Sequence, residues 1–152
     1  MLYLYLKWLH ILSAIIAVGA NATYGIWLSR ASRNPDNLPF TLKGIKMLDD
    51  RVANPAYGLL LITGLSMVFT VSFPLTTPWL LTALVLYGVL VLVGLFGYTP
   101  ALRHQIEILE TEGFRSPEYQ AQARRGTVSG IVLAVIAISI VFLMVVKPAL
   151  WA

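Results

Sequence analysis

Residues Leu2–Ser29 read LYLYLKWLHILSAIIAVGANATYGIWLS, an apolar run interrupted by Lys7 and His10 before the terminal polar turn. At a rise of ~1.5 Å per residue it exceeds the roughly 20 residues that cross the hydrocarbon core of a bilayer. Three more stretches meet the same test: Pro55–Phe73, Pro78–Tyr98 and Thr127–Lys147. The prediction is an all-α fold, a polytopic four-transmembrane-helix bundle forming a single transmembrane domain over residues 1–152, with short helices in the loops. Composition agrees, because the 152 residues are 58% hydrophobic and 12% charged, whereas soluble domains carry about a quarter charged residues.

Within the first stretch, Ala20-Asn21-Ala22 has the small-residue pattern of a signal cleavage site. No positive residue precedes Lys7, however, and the apolar run continues past Ala22, so the segment reads as a retained helix. The chain has no cysteine, which excludes disulfides, thiolate metal sites and iron–sulfur clusters.

The eleven basic residues set the expected orientation. Arg30, Arg33, Lys43, Lys46 and Arg51 follow the first span, and Arg103, Arg115, Arg124 and Arg125 follow the third. Only Lys7 and Lys147 fall on the other side. The positive-inside rule then places both long loops in the cytoplasm and both termini outside a plasma (inner) membrane. Tyr3, Tyr5, Trp8, Trp79 and Trp151 would line the outer interface, and Trp27, Tyr57 and Tyr98 the inner one. A net charge of +4 spread in this way is a topology signal and indicates no nucleic-acid partner.

In the first loop, Ile45, Leu48 and Val52 space a short amphipathic helix, which lies on the membrane surface or enters the second span across a kink at Asn54-Pro55. Thr99-Pro100 reads as the start of another helix, with Arg103 and Glu107 placed to pair; Gly113 ends it and Ser116-Pro117 opens the next. The charge runs in both loops read as solvated faces. Spans two and three, joined by Pro74-Leu75-Thr76-Thr77-Pro78, must be antiparallel neighbours.

Small residues mark helix contacts. Gly126, Gly130 and Ala134 recur every four residues in span four, and Gly58, Gly64, Gly88, Gly94 and Gly97 serve spans two and three. In span one, Ser13, Ala14, Ala17, Ala20, Asn21 and Tyr24 continue the face that carries His10. That face is too polar and too small-sided for lipid, so it should look inward or toward another subunit. A homo-oligomer or a larger membrane complex is the expected assembly.

His10 has two readings. One is a histidine hydrogen-bonded to a neighbouring helix as packing glue; the other is an axial ligand to a haem held between helices. His104 cannot share that haem within one chain, since helical rise separates the two histidines by roughly 25 Å in depth. A second ligand would come from Met67 or Met144, although methionine in a span is more often a gap-filler. Water, Tyr87 or a second copy are the other candidates. No nucleophile motif, phosphate loop, in-span carboxylate or helical zinc pair is present, so no catalytic residue is assigned.

Taken together, Trp8-Leu9-His10-Ile11-Leu12 with Gly19, Asp49 before Asn54-Pro55, Tyr119 with Arg124-Arg125, and Leu143-Met144-Val145-Val146-Lys147-Pro148 carry a resemblance. The whole chain resembles a bacterial family of predicted integral membrane proteins of unknown function in the copper-resistance-D-like group. It is more distantly similar to HemJ-type haem-binding protoporphyrinogen oxidases, whose first helix carries a lysine three before a histidine, as Lys7 and His10 do. That resemblance implies haem b on His10. It also implies a lysine near Thr82 or Ala83 and a tryptophan at Ala17, and this chain has neither. A tetrapyrrole-precursor oxidase is therefore a weaker alternative than a haem-binding redox protein or a cofactor-free accessory subunit. The methionine- and histidine-rich loops that would bind copper are also missing.

Overall fold

The computed structural model describes residues 1–150, and Trp151, assigned above to an interfacial belt, lies outside the described residues. Four long helical rods alternate in direction. The first is α1 (Leu2–Ala31). The second runs from a 3₁₀ turn at Pro35–Asn37 through α2 (Leu38–Leu48), a π-helical turn (Asp49–Ala53) and α3 (Asn54–Thr70). The third joins α4 (Pro78–Leu92) to α5 (Thr99–Thr111) through a second π-helical turn (Val93–Tyr98). The fourth is α6 (Pro117–Val146). All four are long and apolar enough to cross a membrane.

The second and third rods, at 36 and 34 residues, would each measure over ~50 Å, well beyond the ~30 Å of hydrocarbon. The membrane-spanning segments are therefore their apolar parts. The polar remainder, α2 with its π turn and α5, projects beyond them at what we call the loop end; Met1 and Lys147 mark the terminus end. The loop helices thus continue the spans without a surface detour.

Proline explains the π turns. Pro55 and Pro100 lack the N–H that would bond the carbonyl four residues back, and their rings crowd it. In both places the residue before proline bonds one residue further back: Asn54 N–H donates to the Asp49 carbonyl, and Thr99 N–H to the Gly94 carbonyl. Each widened turn absorbs its proline within a continuous rod: the expected kink at Asn54-Pro55 is a π turn, and α5 begins at Thr99 with Pro100 in its first turn, as the sequence indicates. The connection between α5 and α6 follows the sequence reading. Gly113 takes φ +83°, and the Ser116 hydroxyl caps α6 by accepting from Tyr119 N–H at 3.1 Å.

Packing divides the bundle into α1 against α3 and α4 against α6, with α5 bridging to α2 and α6 at the loop end. Spans two and three are antiparallel, but their closest partners are spans one and four; they meet through the Tyr87 hydroxyl, which donates to the Tyr57 carbonyl. The contiguous apolar core sits at the loop end, where Tyr24, Ala31, Leu38, Leu42, Ile45, Leu102, Ile108, Leu109 and Tyr119 pack together. Around the spans, Ile15, Ile62, Val85, Phe96, Ile138 and Val145 are exposed, as side chains solvated by lipid would be. At the terminus end, the Lys147 ammonium lies 5.4 Å from the Trp79 ring centroid, a cation–π contact joining the ends of spans three and four.

Candidate functional site

One face of α1 organises the interior. Ser13, Ala17 and Tyr24 are buried, and His10, Ala14, Ala20 and Asn21 are half-buried between them. Three polar nodes follow along this face from the terminus end to the loop end.

The first node is His10. Its Nδ1 lies 3.0 Å from Thr63 Oγ1 on α3. The Thr63 hydroxyl already donates to the Leu59 carbonyl at 2.6 Å, and a hydroxyl carries one proton. With its proton on a backbone carbonyl, Thr63 accepts from His10 Nδ1, whose ring also borders the Leu60 carbonyl; in the neutral imidazole this leaves the lone pair on Nε2. The ring is seated by Gly64, where an added Cβ would stand 3.1 Å from His10 Cε1. Ser13 Oγ donates back to the Leu9 carbonyl at 2.8 Å, so its hydroxyl is satisfied within α1.

The second node is Asn21, whose Nδ2 donates to the Tyr57 hydroxyl at 2.8 Å, while its Oδ1 is buried without a partner.

The third node is Asp49, the first residue of the π turn. It is only 5% exposed. Thr99 Oγ1 donates to its Oδ2 at 3.2 Å, and Asn54 Nδ2 approaches the same oxygen at 3.4 Å. Lys46, one turn earlier, pairs with Asp50, and no cationic nitrogen lies within 4.0 Å of the Asp49 carboxylate among the described residues. Tyr24 and Tyr98 are within electrostatic reach of it. Asp49 belongs to the polar extension outside the spans, and burial pushes its carboxyl above the ordinary carboxylate range, against the opposing effects of Thr99, Lys46 and Asn54.

This buried acid overturns the reading of the loop charges as uniformly solvated. It also moves the amphipathic face of α2. The buried positions are Leu38, Leu42, Ile45 and Asp49, while Leu48 is half-buried and Val52 exposed. Those four positions follow helical spacing, which was the sequence signal for Asp49. Tyr57 and Tyr98 are half-buried and take part in the polar nodes. One other expectation changes: Glu107 lies 3.6 Å from His104 in place of Arg103.

The remaining candidates scatter. Met67 is half-buried, one turn past Thr63 on α3; Met144 is half-buried on α6, next to buried Leu143. A Cβ on Gly126 would meet Gln105, and one on Gly130 would reach Tyr98, whereas Ala134 is exposed. Gly58, Gly88 and Gly94 face open space. His104 is exposed on α5. Among the described residues no three His, Cys, Asp or Glu side chains converge, so a bare metal centre has no ligand set here.

A family model described as "Predicted integral membrane protein (DUF2269)" matches residues 4–148, nearly the whole chain. The chain belongs to that family. No curated protein and no solved structure matches it. In this DUF2269 chain, then, the three nodes along α1 are the features from which a role must be argued. Two shallow surface grooves, lined by Gly25, Ile26, Ser29, Arg30 and Arg33 and by Arg124, Arg125, Val128 and Ser129, include none of the node residues.

Proposed function

We propose that this chain is a membrane redox protein that holds haem b on His10. The observation that carries the reading is the hydrogen-bond order at Thr63. It keeps the proton on Nδ1 and the lone pair on Nε2, the state in which an imidazole with an outer-shell partner ligates iron. Thr63 would fix the plane of the ring. Ser13 and Ala17 are buried on the same face of α1 and Gly64 stands against the ring, so His10 Nε2 is the atom that would hold the iron. Haem, when bound, supplies one-electron transfer. Met67, on the facing helix, is the nearer of the two methionine candidates by sequence position; Met144 belongs to α6, whose main partners are α4 and α5. The sequence resemblance to HemJ-type proteins at Lys7 and His10 would support the same reading, and the missing lysine near Thr82 sets tetrapyrrole-precursor oxidation below it. We place the loop end in the cytoplasm of a bacterial plasma membrane, because nine of the eleven basic residues lie there.

The test is an absorption spectrum of protein purified from haem-replete membranes, oxidised and then reduced. Haem absorption that is lost or shifted in His10→Ala is expected. Protein without haem absorption or iron would overturn the reading.

A second reading rests on the glycines. Gly58, Gly88 and Gly94 would meet nothing on gaining a Cβ, which favours a cofactor-free subunit that offers these strips to a second copy or to a membrane complex. Gly130 already faces Tyr98, so Gly88→Leu is the informative change. It should weaken association in native gels of mild-detergent extracts, and an unchanged monomer would remove the idea.

A further inference from the structure

We propose that Asp49 is a proton-binding site, held as the neutral acid at the loop end, where the first three rods meet beyond the spans, and fastening the two π turns to each other. The placement comes first. Three elements enclose the carboxyl: α1 supplies Tyr24, the second rod supplies Asp49, Asn54 and Tyr57, and the third supplies Tyr98 and Thr99. Asp49 opens one π turn, and Thr99 follows directly on the other. Their side-chain hydrogen bond is thus a clasp between two widened turns, a distortion often found at working sites.

The chemistry follows from what the node contains and lacks. A carboxylate buried to this degree without a cation is costly, and such groups neutralise in preference to staying charged. The charged and titratable groups facing Asp49 are Lys46 and Asp50 from its own rod, Tyr24 from α1, Tyr57 from α3 and Tyr98 from the third rod. Lys46 is held by Asp50. Thr99 and Asn54 both address Oδ2, which leaves Oδ1 as the atom to carry the proton. A second observation points to the same place. Tyr24 is 4% exposed, yet its hydroxyl is buried with no partner. A hydroxyl both accepts and donates, and Tyr24 stands within electrostatic reach of Asp49 though beyond hydrogen-bond distance, so it is the unused acceptor to which a protonated Asp49 would turn. On deprotonation the carboxyl releases its proton to water, and the two donors on Oδ2 must hold an ion in a site without a counter-charge. Thr99 and Asn54 bond that ion more strongly than the neutral acid, so what opposes deprotonation is the burial of a charge without a counter-ion. This inference is independent of haem at His10.

The experiment is infrared difference spectroscopy on the full chain in lipid nanodiscs through a pH titration, in sodium chloride and again in choline chloride. Expected is a protonated-carboxyl band that persists above the range where exposed carboxylates titrate, vanishes in Asp49→Asn and shifts in Tyr24→Phe. Asparagine resembles the neutral acid and should fold; should it fail to accumulate, Thr99→Val must shift the same band. Absence of an Asp49-dependent band above the ordinary range would overturn the proposal. So would a band abolished by sodium and kept in choline, which would make the occupant a metal cation.

Discussion

His10 and Asp49 lie on or against the same face of α1, yet the bundle treats them in opposite ways. At His10 the polar group has a matched partner in Thr63 and is seated against the one glycine in span two whose Cβ would crowd it. The helices around it are regular. At Asp49 the group is acidic, two donors crowd one oxygen, a tyrosine hydroxyl is left over, and the second and third rods each carry a π turn. A polar group that finds its complement lets helices close tightly, whereas one that does not is tolerated where prolines have already widened the turns. The same contrast separates a site built to stay fixed from one able to change state.

The largest expected effect that would break the contrast is at Gly64. Gly64→Leu drives a side chain into the imidazole and should destabilise the α1–α3 seam by about 3 kcal/mol or more, at or above the upper end for overpacking. Unfolding of the detergent-solubilised protein measures it, and a wild-type midpoint would show that the seam is looser than 3.1 Å implies.

Asp49→Asn should act through pH. Burial raises the folded-state pKa, so the folded protein keeps a proton that the unfolded chain has already lost. Stability should therefore fall as pH rises from the unfolded value of 3.8 through the raised one, and stay level above it. Asp49→Asn should remove that slope and be at least as stable as wild type at alkaline pH; an unaltered slope in the mutant would assign it elsewhere.

Thr63→Val keeps the shape and removes the acceptor. It should cost on the order of 1 kcal/mol, since interhelical hydrogen bonds in membranes average ~0.6 and an orphaned donor adds to that. The ring should also lose its fixed tautomer, visible as two exchanging imidazole forms in nitrogen NMR. The smallest effect belongs to the exposed Lys43–Glu110 pair at 2.6 Å, where Lys43→Ala should change stability by about 0.5 kcal/mol or less.

Much of this molecule can be read from one dimension. Four apolar runs of sufficient length make four spans, because crossing hydrocarbon is a matter of length and of satisfying backbone groups internally. The inward face of α1 is equally legible at Ser13, Ala17 and Tyr24, since helical spacing alone puts them on one side. The prolines at 55 and 100 announce irregular backbone, but local sterics permit a break, a kink or a widened turn, and only packing against neighbouring rods selects the last.

What tertiary structure alone decided is which polar groups find partners. Thr63 lies 53 positions from His10, and Thr99 lies 50 from Asp49. The order of hydrogen bonds that sets the His10 tautomer, and the burial that makes Asp49 an acid without a counter-ion, exist only once helices distant in sequence share a seam. Apolar length is a local property of a chain. The state of an ionisable group depends on everything that surrounds it.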